Sequence, residues 1–281
     1  MSAFLDRIVE ATRARVSETR RTADLRELER RAEQHIPRGF RLALLDKSQD
    51  GVAVIAELKK ASPSKGVIRA EFHPSELAKE LAAAGATALS VLTDQEFFQG
   101  SLKNLREASA AVSIPCLRKD FIIDEFQLFE ARANMADAVL LIVAALSEAD
   151  LVALARSARA RGLDVLCEVH DEEELQRALA AGCDLIGVNT RDLRTFQVDL
   201  DTAFRLAEKF PPNVVRVAES GIHASGDVAR LRSAGYHAIL VGESLMRAER
   251  PGEALRKLLR EDSGNLCRPA TDSSRAAQPQ N

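Results

Sequence analysis

From Val52 onward, short runs of Val, Ile, Leu and Ala alternate with amphipathic stretches, and run after run ends in a polar or charged residue. Val52-Ala-Val-Ile-Ala56 ends in Glu57 and Lys59, Ile114-Pro-Cys-Leu117 in Lys119, and Val165-Leu-Cys167 in Glu168. Leu185-Ile-Gly-Val188 leads to Asn189 and Arg191, and Val214-Val-Arg-Val-Ala218 to Glu219 and Ser220. A strand covered on both faces reads as such an apolar run. The pattern predicts strands at 52–59, 88–93, 114–119, 138–144, 164–169, 185–189, 214–219 and 238–242. Helical spacing predicts helices at 75–84, 101–111, 125–134, 148–161, 172–181, 201–209, 225–234 and 252–260.

Three returns from helix to strand share an Ala-Gly step, at Ala84-Gly85, Ala181-Gly182 and Ala234-Gly235. Glycine there can take the left-handed conformation that stops a helix. Strands alternating with helices imply parallel βαβ units. About eight of them fit a closed (β/α)8 TIM barrel better than an open doubly wound sheet, whose GxGxxG signal is absent after the first strand. Residues 1–47 read as a helical extension: Phe4, Ile8, Ala11 and Val16 share a face, and further amphipathic pieces run from Asp24 to Gln34 and from Arg38 to Leu45. The expected division is therefore 1–47 extension, 48–261 catalytic barrel and 262–281 disordered tail rich in Ser, Pro, Gln and Asn.

Composition narrows the function. A net charge of −3 gives no support for a nucleic-acid or anionic-membrane partner. No apolar stretch reaches the ~18 residues of a membrane span, and the charged N-terminus lacks a signal-peptide core. The 4 cysteines, Cys116, Cys167, Cys183 and Cys267, have no CxxC spacing and are expected to be reduced thiols in a cytoplasmic protein. The 5 histidines show no metal spacing, so no metal is expected.

Side chains alternate along a strand, so Glu57 and Lys59 share one face, Asn189 and Arg191 another, and Lys60 points the other way. Barrels carry their chemistry at the C-terminal ends of the strands. Glu57, Lys59, Lys119, Glu168, Asn189 and Glu219 are thus expected to meet at one mouth. Ser220-Gly221 and Gly242-Glu243-Ser244, following the last two strands, suit a phosphate subsite because glycines let backbone N–H groups approach an anion. The loop Ser62-Pro-Ser64-Lys65-Gly66 has the position of a lid.

At this point a resemblance enters. Ile55-Ala-Glu57-Leu-Lys59-Lys-Ala-Ser62-Pro-Ser64 resembles the first-strand signature of the indole-3-glycerol-phosphate synthase family. Four segments match in order: 92–101, 117–124, 187–193 and 218–222, and the resemblance extends from about Phe4 to Leu259. Glu243 departs from it, since Ser commonly occupies that position; its side chain is expected to point away from the phosphate.

The resemblance implies cyclisation of 1-(2-carboxyphenylamino)-1-deoxyribulose 5-phosphate with loss of CO2 and water, in tryptophan biosynthesis. It implies Lys119 as general acid on the C2′ carbonyl, with a pKa lowered by Lys59 and partial burial. Lys59 and Glu57 would serve dehydration as acid and base, and Glu168 would act as base or electrostatic stabiliser. Asn189 would orient a hydroxyl, Arg191 would bind the anionic substrate, and Glu219 would position the lysines. Phe98, Phe121, Leu140 and Leu193 would bed the anthranilate ring, with Ser62 and Ser220 as further substrate contacts. Ser220, Gly221, Gly242 and Glu243 would hold the phosphate. No cofactor is implied, and the partner is a phosphorylated small molecule, with the chain a monomer or weak oligomer. One alternative is a phosphoribosylanthranilate isomerase, which resembles this fold but uses a Cys and an Asp where Lys59 and Glu168 stand. Another is a barrel that binds a sugar phosphate without turnover. The chain is expected not to be a fusion with the isomerase.

Overall fold

The computed structural model describes residues 3–192 and 195–260. Eight parallel strands close into a barrel: Ala53–Leu58 (β1), Ala88–Leu92 (β2), Cys116–Lys119 (β3), Ala138–Ile142 (β4), Asp164–Val169 (β5), Leu185–Asn189 (β6), Val215–Glu219 (β7) and Ala238–Val241 (β8). Each pairs with the next, and β8 pairs with β1 through Ala53↔Ala238 and its successors. Three helices precede the barrel: Ala3–Thr22 (α1), Leu25–Gln34 (α2) and Phe40–Ser48 (α3). The outer ring comprises Pro74–Ala83 (α4), Leu102–Ala110 (α5), Phe126–Ala133 (α6), Glu148–Ala160 (α7), Glu172–Ala180 (α8), Asp201–Ala207 (α9), Ser225–Ser233 (α10), Glu243–Arg247 (α11) and Pro251–Arg260 (α12).

Local chemistry sets these boundaries. Ser101, Ser147 and Asp171 cap α5, α7 and α8, each side chain accepting from the backbone N–H three residues on. Pro74 and Pro251 open α4 and α12 at positions whose N–H has no helical acceptor. The three Ala-Gly returns behave as expected, with φ of 105° at Gly85, 73° at Gly182 and 87° at Gly235. The run expected as a strand over 114–119 pairs only from Cys116, because Pro115 has no N–H to give a ladder. The run over 138–144 leaves the sheet at Ile142 and turns as a 3-10 helix, Val143–Ala145. Between β1 and α4, Ala61–Ser62 and Gly66–Val67 form a small antiparallel hairpin over the mouth.

Two apolar layers hold the barrel. Outward-facing strand residues such as Val54, Leu89, Val139 and Ile186 pack beneath the helices. Inward-facing residues fill the interior in tiers taken from alternate strands. Ala88, Ala138, Leu185 and Ala238 come from even strands, and Ile55, Leu117, Leu166 and Val217 from odd ones. Phe40 and Leu44 of α3 join this interior cluster and plug the N-terminal end. Burying such a side chain contributes roughly 1.5–3 kcal/mol.

The N-terminal segment is fastened by charge. Asp137, fully buried, accepts from the Arg38 backbone N–H at 2.8 Å, the Arg38 guanidinium, His35 Nε2 at 3.1 Å and the Cys116 N–H at 2.6 Å. Arg15 and Arg20 of α1 pair with Asp120 at 3.1 Å and Asp124 at 2.8 Å on the loop after β3. The chain thus runs from the mouth, along α6, to the barrel floor.

One expectation is corrected. Cys167 and Cys183 form a disulfide rather than standing as reduced thiols. The tight return after Gly182 sets their Cα atoms 6.5 Å apart, within bridging reach. Cys116 is free and buried, as expected, and burial pushes its thiol up to about 12. Cys267 and the tail expected over 262–281 lie outside the described residues.

Candidate active site

Above the apolar tiers, the next inward position on every odd strand is ionisable: Glu57 on β1, Lys119 on β3, Glu168 on β5 and Glu219 on β7. Four strands far apart in sequence therefore deliver one charged tier. Lys119 Nζ donates to Glu168 Oε2 at 2.6 Å and lies 3.5 Å from Glu219 Oε2. Lys59, one step above Glu57, donates to Glu57 Oε1 at 2.6 Å. Asn189 Nδ2 donates to Glu168 Oε1 at 3.2 Å, and its Oδ1 accepts from Ser220 Oγ at 2.9 Å and the Arg191 N–H at 3.1 Å.

Two glycines make the tier possible. A Cβ at Gly187 would lie 2.0 Å from Glu219 Oε1, and one at Gly242 would lie 2.6 Å from Glu57 Oε1.

The electrostatics differ from expectation at Lys119. Burial alone would lower its pKa, but Glu168, Glu219 and Glu57 outweigh that and raise it. Three carboxylates, not Lys59, dominate its surroundings, so it stays charged at any physiological pH. Burial would likewise raise Glu168, yet Lys119 and His170 hold it down at about 2. Glu219 goes the other way: burial pushes it up to about 8, Lys119 resists, and Glu168 and Glu57 add to the rise.

This tier floors a cavity at the mouth of the barrel. Of the residues singled out in the sequence, Glu57, Lys59, Ser62, Phe98, Lys119, Phe121, Leu140, Glu168, Asn189, Arg191, Glu219, Ser220 and Glu243 line it. The Phe98 and Phe121 rings lie 6.3 Å apart on one wall. A contiguous recess takes in Ser220, Gly221, Gly242, Glu243 and Ser244. Ser220 and Gly221 are both left-handed, with φ of 68° and 74°, which turns the chain sharply there. Leu193 lies outside the described residues. The Glu243 side chain does not point away: it sits in the cavity wall, 3.1 Å from Arg247 Nε and 3.7 Å from Arg191. Two guanidiniums draw it there, and once burial has been offset they and Lys59 lower its pKa.

A family model described as indole-3-glycerol phosphate synthase matches residues 5–258. A protein of that name from Koribacter versatilis is 60% identical over 92% of this chain and 100% of its own length. The chain belongs to the indole-3-glycerol phosphate synthase family. A namesake from Burkholderia ambifaria is 48% identical over 92% of this chain and 99% of its own. As a member of the indole-3-glycerol phosphate synthase family, the enzyme is a carboxy-lyase of tryptophan biosynthesis. Solved structures agree on the fold alone. A 3-hexulose-6-phosphate synthase from Salmonella typhimurium superposes with a TM-score of 0.61 at 14% identity, over 75% of this chain and 99% of that one. A thiamine phosphate pyrophosphorylase from Pyrococcus furiosus gives 0.56 at 19% identity, over 76% and 98%. Among the described residues no helix is long and apolar enough to cross a membrane.

The sequence reading missed the roof of this indole-3-glycerol phosphate synthase cavity. Phe4, Leu5 and Ile8 of α1 line it, and the Phe4 ring packs edge-on against Phe196 at 5.1 Å. The apolar stripe on α1 signalled that a partner existed, but nothing in its spacing said which surface it would cover.

Proposed function

We propose that the enzyme closes 1-(2-carboxyphenylamino)-1-deoxyribulose 5-phosphate to indole-3-glycerol phosphate on this tier, with Lys119 as the acid of the first step. The observation that carries the reading is the ammonium of Lys119, caged by carboxylates at the floor of an apolar-walled cavity. Phe98, Phe121 and Leu140 bed the anthranilate ring. Leu193 completes that bed. The recess at Ser220, Gly221, Gly242 and Glu243 takes the phosphate through backbone N–H groups, and Arg191 adds charge. Substrate is then held at both ends, with the reacting carbons over the charged tier.

In the first step the ring carbon bearing the carboxylate bonds to C2′, and the carbonyl oxygen becomes an alkoxide. Lys119 donates its hydrogen bond into that developing charge and gives up the proton as the oxygen's basicity rises. Its raised pKa keeps it protonated until substrate arrives. Loss of CO2 returns the electron pair to the ring and restores aromaticity. Dehydration follows: Lys59 protonates the leaving hydroxyl, and Glu57 takes the ring proton. Glu168, clamped by Lys119 and Asn189, acts as a fixed anion rather than as a base. Asn189 orients a substrate hydroxyl, Ser62 closes from the hairpin, and Glu219 holds Lys119.

No step needs a cofactor or metal. We place the enzyme in the cytoplasm, as a monomer or weak oligomer, with 1–47 as a wrapped extension of a barrel spanning 48–261. The chain has 0 Trp and 1 Tyr, so product fluorescence appears over a nearly dark background. A signal from the substrate that disappears in Lys119→Met supports the proposal. No signal from folded wild-type protein overturns it.

A further inference from the structure

His170 follows β5 directly and belongs to none of the motifs above, yet it stands against the charged tier from the side. Its Nδ1 lies 2.9 Å from Glu174 Oε2 of α8, and its backbone N–H donates to the same oxygen at 2.8 Å. A carboxylate only accepts, so Nδ1 carries the hydrogen. That fixes the ring, and Nε2 faces Glu168 Oε1 at 3.5 Å. Nε2 is buried without a hydrogen-bond partner. In a neutral ring this nitrogen would turn its lone pair on a carboxylate oxygen in a site shielded from water. In the imidazolium it turns an N–H on that oxygen. Only the charged form suits both neighbours at once.

Glu168 is then gripped from three sides. Lys119 holds Oε2, Asn189 holds Oε1, and the His170 ring backs Oε1 from β5's own C-terminal end. We propose that His170 is a positioning residue: its imidazolium orients Glu168 and thereby Lys119, and its loss of a proton is an ionisation that the rate of the chemical step follows. The proposal rests on the reading of Lys119 as proton donor.

The groups facing the ring are mixed in sign. Glu168 comes from its own strand, Asp171 and Glu174 from the start of α8, and Glu219 from β7, with Lys119 beyond Glu168. Arg191 and Asp192, from the loop after β6, line the same outer cavity as His170. Burial lowers the pKa of the ring, while Glu174, Glu168 and Glu219 outweigh it and raise it above the ordinary 6.5. An imidazolium at neutral pH withdraws charge from Glu168. Without it the carboxylate binds the Lys119 proton more tightly, and proton delivery slows.

Two measurements on the full chain test this. Single-turnover rates across pH in wild type should show an ionisation above 6.5. In His170→Gln that ionisation should vanish and the rate fall about tenfold with KM almost unchanged, since orientation rather than binding is lost. A variant with the wild-type rate and the wild-type profile overturns the proposal. NMR titration of the assigned His170 ring in wild type needs no variant to fold; a midpoint at or below 6.5 also overturns it. Failure of the Lys119 reading shows elsewhere, as an active Lys119→Met enzyme.

Discussion

Lys119 and Glu168 stand 49 residues apart in the chain, with Nζ and Oε2 separated by 2.6 Å. They meet because β3 and β5 are both odd strands, and alternate strands of the barrel build each tier. The pair lies on the side of the sheet facing the cavity. Arg118, one residue earlier, faces the helices, where it is fully buried and paired with Asp120 at 2.9 Å and Glu130 at 3.3 Å. Adjacent cations thus have opposite fates: one faces the cavity, the other is locked into the scaffold. Lys119→Met should reduce kcat by about 10²–10⁴, the usual range for a lost general acid. Arg118→Met should act through stability, lowering Tm while folded protein keeps its kcat. Indole fluorescence and thermal melts on both variants separate the two roles.

The barrel was legible because eight buried runs of similar length recur with helices between them, and strand alternation then picked Glu57 and Lys59 over Lys60. The sign of the Lys119 shift was not legible. It depends on distances to Glu168 and Glu219, and those follow from the stagger of non-neighbouring strands rather than from any local pattern. Glu243 was misjudged for a related reason. Its partner Arg247 lies one turn on in α11, but Arg191 follows β6, and the spacing between Glu243 and Arg191 carries no hint of their 3.7 Å approach. The Cys167–Cys183 bridge likewise joins a strand to a helix-stop turn, a proximity visible only after folding.

Glu219 separates protonation from proton transfer. Burial pushes its pKa up to about 8, toward the neutral carboxyl that an amide mimics. Glu219→Gln should keep kcat within a few-fold at pH 7 and remove an ionisation near 8 from the pH profile. A loss of about 10² at pH 7 would instead make Glu219 a proton carrier.

Gly187 should prove as sensitive as the residues that ionise. Its backbone is ordinary strand, so alanine is tolerated there conformationally, but the new methyl would sit 2.0 Å from Glu219 Oε1. Glu219 must swing out, and Lys119 loses one of its carboxylates. Gly187→Ala should lower kcat by about tenfold to a hundredfold, since a misplaced catalytic group costs that much. Adding Glu219→Ala should remove the clash and return part of the stability lost in the single variant. Equal melting temperatures for single and double variants would mean the clash is absorbed elsewhere.

Asp137 is the strongest test of how the N-terminal segment is held, because it is fully buried and ties the α2–α3 link, through His35 and Arg38, to Cys116 of β3. Burial alone would raise its pKa, but His35, Arg38 and the Cys116 N–H hold it below the usual carboxylate range. A depressed pKa in the folded state means that the carboxylate's contribution is fully present above ~3.9, its unfolded value. That contribution is lost as pH falls further, through the folded pKa. Wild type should therefore lose stability below about pH 4, and Asp137→Asn should remove part of that acid dependence. At neutral pH the amide offers one acceptor oxygen where the carboxylate offered two, and it leaves Arg38 half-buried without a counter-ion. Breaking such a pair costs about 3–5 kcal/mol. The exposed Arg20–Asp124 pair, at a similar 2.8 Å, offers the contrast. Asp124→Asn should cost no more than about 1 kcal/mol, because solvent screens it. Urea unfolding of both variants at pH 7 and at about pH 2–3 would read out the difference, and equal losses at pH 7 would show that α1–α3 are not anchored through Asp137.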